Sequence, residues 1–120
     1  MGKQTFENLP VYQLAEQLAN EVWTLVKNWD FFAQDTVGKR LVSAADRVGA
    51  RIAEGNGRND SSENRRFVKL ARGSLYETIH WLRIAYNRKL LTAAEISQIR
   101  DIVIKLSPQL RAYLKTLEDN

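Results

Sequence analysis

The 120-residue chain has no cysteine, which excludes disulfides and thiolate-bound metal and suits a reducing compartment. It has a single histidine, so any site that needs two imidazoles from one chain is excluded. No stretch reaches the roughly 18–20 apolar residues that a membrane span requires, and the opening MGKQTFENLP has no apolar signal-peptide core. The expectation is a cytoplasmic protein that is neither exported nor membrane-spanning. Only two prolines and six glycines interrupt the chain, and no segment alternates with the two-residue period of a strand.

What is present is an ordinary globular balance, 44% hydrophobic and 27% charged, enough to form a core. The length predicts one domain over residues 1–120. The net charge of +4 is unevenly spread: residues 1–38 carry two basic and five acidic side chains, 39–89 carry twelve and five, and 90–120 carry four of each. The basic character belongs to the middle of the chain, where it is either a polyanion-binding surface or solvated helix faces.

Apolar residues recur at three- and four-residue steps and predict an all-α, antiparallel up-and-down four-helix bundle. The first helix runs from Leu9 to Asn28 with Pro10 in its opening turn. Val11, Leu14, Ala15, Leu18, Val22, Leu25 and Trp29 make its core stripe, and Tyr12, Ala19, Trp23 and Val26 form a second. The second helix starts at Asp35 or Thr36, ends at Glu54, and repeats small residues at Ala45, Gly49 and Ala53 that allow close approach. In RIAEGNGRND, Gly55 is expected as a left-handed cap, and Asn59, Asp60, Ser61 and Ser62 offer N-cap side chains to the third helix. That helix spans Ser62 to Lys89. The corner reads first as a turn, with an anion site between Arg58, Arg65 and the helix start left open. The fourth helix opens with the capping box Thr92-Ala-Ala-Glu95 and the staple Leu91/Ile96, and Pro108 predicts a kink or two pieces.

FENLPVYQLA, RIAEGNGR and FVKLARGSLYE resemble the bacterial four-helix-bundle family first associated with intervening sequences of large ribosomal RNA genes. Ile52, Ala53, Glu54, Gly55, Gly57, Arg58, Ala71, Gly73, Ser74, Leu75 and Glu77 match its motifs, while Arg51 replaces an asparagine and Arg47 a common serine. The resemblance implies a homopentameric ring. It also suggests similarity to the accessory variability proteins of diversity-generating retroelements, which bind nucleic acid and a reverse transcriptase.

Glu77-Thr-Ile-His80 has the spacing of a di-iron helix motif but lacks a second copy, and Ser74 and His80 point some 120° apart. No catalytic, cofactor or metal residue is therefore assigned, and Trp23, Trp29 and Trp81 are expected to pack. The expected function is a non-enzymatic oligomer binding RNA or DNA backbone through Arg40, Arg47, Arg51, Arg58, Arg65, Lys69, Arg72 and Arg83. The alternative is a structural or protein-interaction module, for example one binding a reverse transcriptase. The second stripe of the first helix, with Leu75, Ile79 and Tyr86 on the third, is expected to contact neighbouring subunits.

Overall fold

A computed structural model describes residues 5–118, which form an elongated body of 48 × 23 × 21 Å. A short 3₁₀ turn at Phe6–Asn8 leads into α1 (Pro10–Val26), whose first turn contains Pro10 as expected. A helical turn Phe31–Ala33 and a π-helical turn Gln34–Gly38 then run directly into α2 (Lys39–Asn56). α3 (Ser61–Asn87) and α4 (Ala93–Glu118) complete four long helices, and no strand occurs among the described residues. Each helix packs against two others in the order α1–α2–α3–α4–α1, as in an up-and-down bundle.

One hydrophobic cluster runs through all four helices, with Leu18, Val22, Leu41, Val48, Ile52, Val68, Leu75, Ile99, Leu106 and Leu110 at its centre. The small residues of α2 work as the spacing suggests. A Cβ on Gly49 would lie 3.3 Å from the Tyr12 ring, so glycine there lets α1 approach closely.

Helix ends supply most of the differences from expectation. The second helical segment is capped by Asp30, whose side chain accepts from the Ala33 N–H, not by Asp35 or Thr36; the Thr36 hydroxyl instead donates to the Phe32 carbonyl. α2 continues through Glu54 to Asn56, and no glycine among the described residues has a positive φ. Gly55 is thus helical and is not a left-handed cap. Its reason is space: a Cβ there would lie 2.6 Å from Asn64 Oδ1 and 2.8 Å from Phe67 Cβ. The left-handed position falls on Lys89, φ 63°, after α3. Lys89 N–H bonds Tyr86 O and Leu90 N–H bonds Ala85 O, the paired closure of a Schellman motif.

The capping box forms at α4, with Thr92 N–H donating to Glu95 and Glu95 N–H to the Thr92 hydroxyl, at 2.9 and 3.1 Å. Pro108 does not divide α4 into two helical pieces. Pro108 and Ile104 are both exposed, so water can bond the Ile104 carbonyl that proline leaves without an N–H donor.

Candidate nucleic-acid interface

The eight basic residues singled out in the sequence fall into two unlike groups. On the flank where α2 meets α3, Arg47 Nη1 lies 3.5 Å from Glu77 Oε1, and Arg51 Nη1 lies 3.4 Å from Glu54 Oε1. Glu54 also holds Arg58 at 3.5 Å, and the Arg58 guanidinium sits over the Phe67 ring at 5.0 Å. Arg40 covers Trp81 at 5.7 Å. Exposed pairs of this kind contribute little stability, about 0–1 kcal/mol each. Their larger effect is to offset part of the field that these arginines project, with Glu54 and Glu77 set against Arg47, Arg51 and Arg58.

Arg65 is likewise engaged: its Nη1 donates to the Leu117 carbonyl at 3.1 Å, on the last turn of α4, where the helix dipole favours a cation. The α2–α3 corner is closed by Asp60, whose carboxylate accepts from Ser62 N–H.

The outward face of α3 differs. Lys69, Arg72 and Arg83 are exposed, and none has a carboxylate within 4.0 Å among the described residues. Tyr76 stands between them, 61% exposed. Gly73 lies on the same face, and a Cβ there would meet nothing within 4 Å. No contact within the chain requires glycine at this position.

Sequence reasoning missed a neighbour of this face on α4. A groove of about 380 Å³ opens between α3 and α4 over Ile79, Ile96 and Val103, with Arg83 on one wall and Arg100 on the other and Tyr86 beside them. Arg100 and Arg111 are eleven residues apart, which places them within about 20° of each other around α4. The zero net charge of residues 90–120 hid that grouping.

A larger open groove, about 630 Å³, runs between α1 and the start of α2 over Trp23, Val26, Gly38 and Val42. Asp46 lines it, and burial raises its carboxyl pKa above the ordinary value. Of the residues expected at subunit contacts, Trp23, Ile79 and Tyr86 are exposed, but Val26 and Leu75 belong to the core. The most exposed aromatics are Phe31 and Phe32, which the helical pattern gave no reason to single out. Leu70 of α3 is exposed as well. Glu77 is held by Arg47, and the His80 ring contacts Trp81 edge to face at 4.8 Å, so the Glu77/His80 spacing serves two separate contacts. Among the described residues no helix is long and apolar enough to cross a membrane.

Comparison with known proteins agrees with this architecture. The model of the 23S rRNA-intervening sequence protein family matches residues 7–112, and the chain belongs to that family. No curated protein sequence matches it. Among solved structures, a protein of unknown function from the S23 ribosomal protein family of Bacteroides thetaiotaomicron is similar in fold, with a TM-score of 0.78 and 17% identity. The match covers 88% of this chain and 98% of that one.

Proposed function

We propose that this member of the 23S rRNA-intervening sequence protein family is a non-enzymatic, oligomeric nucleic-acid-binding protein that uses the outward face of α3 against phosphate backbone. The observation that carries the reading is the contrast in cation use. Lys69, Arg72 and Arg83 have no acidic partner among the described residues, whereas Arg47, Arg51 and Arg58 are held by carboxylates. Gly73 supports it, because a residue without a side chain lets a ligand backbone approach the helix between those cations. Contacts of this kind position a polyanion without reading its sequence. The non-enzymatic part draws support from Glu54 and Glu77, the two carboxylates of the matched motifs, both engaged by arginines.

Oligomerisation is part of the proposal, with five copies implied by the family resemblance. Exposed Trp23, Phe31 and Phe32 favour a protein contact at the α1–α2 end. A ring would repeat the basic face and combine weak contacts by avidity. The same aromatics also support the alternative, a module whose partner is another protein.

The test is affinity for RNA and DNA across salt concentrations, using protein freed of carried-over nucleic acid. Neutralising Z phosphates gives a slope of about −0.9Z in log affinity against log salt on duplex DNA and about −0.7Z on single strands. Lys69→Glu with Arg72→Glu is expected to lower affinity at least about ten-fold and flatten the slope, with helicity and native mass unchanged. Arg47→Gln with Arg51→Gln should change binding far less. Equal affinity of the charge-reversed and wild-type proteins at every salt concentration would remove α3 from the reading and favour the protein-partner alternative.

A further inference from the structure

We propose that the groove between α3 and α4 holds one unpaired nucleotide, its base against Tyr86 and its phosphate between Arg83 and Arg100. This rests on the nucleic-acid reading of α3 and narrows its ligand to single-stranded RNA or DNA.

The groove combines two surfaces that a duplex cannot use together. Its floor is apolar, and Tyr86 is 45% exposed beside it, an aromatic face available for stacking. Its polar walls carry Arg83 from α3 and Arg100 from α4, and no carboxylate lines it. A duplex offers its phosphates but keeps its base faces stacked inside. A single strand offers both, and binding of base faces to protein aromatics tolerates any sequence. The Asn87 amide, also in the lining, can meet a base edge with donor or acceptor.

Continuity along α3 separates this ligand from an acidic peptide. Arg72 lies eleven residues before Arg83, within about 20° around the helix and about 16 Å along it, and Lys69 follows almost a turn further. The surface leading away from the groove thus carries cations with one exposed aromatic, Tyr76, among them. An acidic peptide would use the cations alone, whereas a single strand can use the cations and the aromatic faces together. A strand laid along α3 meets Lys69 and Arg72 through its backbone and fills the groove with one base.

The experiment compares three probes of equal length across salt concentrations: oligo(dT), an abasic deoxyribose-phosphate strand, and duplex DNA. The abasic strand keeps every phosphate and removes every base. Wild-type protein is expected to hold oligo(dT) more tightly than the abasic strand, by roughly 5- to 100-fold, the range for loss of a base–aromatic stack. Tyr86→Ala should lose that factor on oligo(dT) and nothing on the abasic strand or duplex. Tyr86→Gln repeats the test with a polar side chain should alanine disturb the fold, and the abasic comparison on the wild type needs no variant. Arg100→Gln should lower the single-strand salt slope by about 0.7.

If wild-type protein binds oligo(dT) and the abasic strand equally, or Tyr86→Ala weakens both alike, the groove assignment is overturned. Provided that Lys69→Glu with Arg72→Glu still weakens binding, the backbone reading stands without it. If none of the three probes binds, both fall. Displacement of oligo(dT) by oligo-glutamate, with the same dependence on Tyr86, would give the groove to an acidic peptide and overturn the proposal.

Discussion

Where α2 meets α3, Gly55 faces Asn64 and Phe67 with no room for a methyl group, and Arg47, Arg51 and Arg58 each meet a carboxylate. On the outward face of α3, Gly73 faces nothing and Lys69, Arg72 and Arg83 have no acidic partner among the described residues. The two regions use the same residue types. At the first, folding of the single chain accounts for every one of them. At the second it accounts for none, and a glycine inside a long helix costs about 1 kcal/mol relative to alanine. It is on these residues, which the chain's own packing does not require, that the proposed nucleic-acid contact rests.

The comparison can be broken most strongly at Gly55. Gly55→Ala should destabilise the fold by about 1–3 kcal/mol in a denaturant melt, because the Phe67 Cβ and the Asn64 backbone cannot swing aside as a flexible side-chain end would. Alanine's better helix propensity offsets only part of that cost. Unchanged stability would mean that the α2–α3 spacing is loose and that Gly55 needs another explanation.

Gly73→Ala should do the opposite and stabilise the isolated chain by about 1 kcal/mol, since nothing opposes the new methyl group. The same variant sharpens the functional half of the comparison. Weaker nucleic-acid binding from a more stable protein would show that the bare helix surface is used by the ligand. A loss of stability would place α3 against a neighbouring subunit.

The smallest effect is expected at Asp46, which adjoins Arg47 in sequence while Arg47 pairs with Glu77 on the α3 side. Burial in the α1–α2 groove raises the Asp46 pKa above 3.8, so the protonated form is favoured in the folded state. Its stabilising contribution is present below the unfolded pKa and lost as pH rises through the folded value, leaving an ionised carboxylate that costs stability at neutral pH. Asp46 is still largely exposed and solvent screens the effect, so Asp46→Asn should raise stability at pH 7 by no more than about 0.5 kcal/mol, with the gain vanishing in acid. A gain that persists unchanged at pH 3 would assign the effect to something other than ionisation.

Much of the fold was legible because it rests on local rules. Pro10, the Thr92/Glu95 box and the α1 core residues Val11, Ala15, Leu18 and Val22 all occur where spacing put them, and Leu91 and Ile96 both pack on the core. Gly55 was misread because glycine answers two needs, a positive φ or a close approach, and sequence does not say which applies. The left-handed cap at Lys89 was missed for the complementary reason, since a lysine there gives no signal. Asp30 was passed over because the helical turn it starts is followed by a π-helical turn that shifts the apolar period.

The candidate site was legible only in part. Periodicity grouped Lys69, Arg72, Tyr76 and Arg83 on one face, since residues of one helix keep their angular relation whatever surrounds them. It could not join Arg100 to them, because the register between α3 and α4 is set by contacts such as Arg65 with the Leu117 carbonyl, 52 residues apart. By itself the sequence determined the all-α class, the four helices and the cations that share a helix face, all consequences of a 3.6-residue period and short-range capping. Tertiary structure alone decided that Arg47 pairs with Glu77 and that Gly55, not Gly73, is hemmed in by a neighbouring helix, because those contacts depend on distances between helices that no single helix encodes.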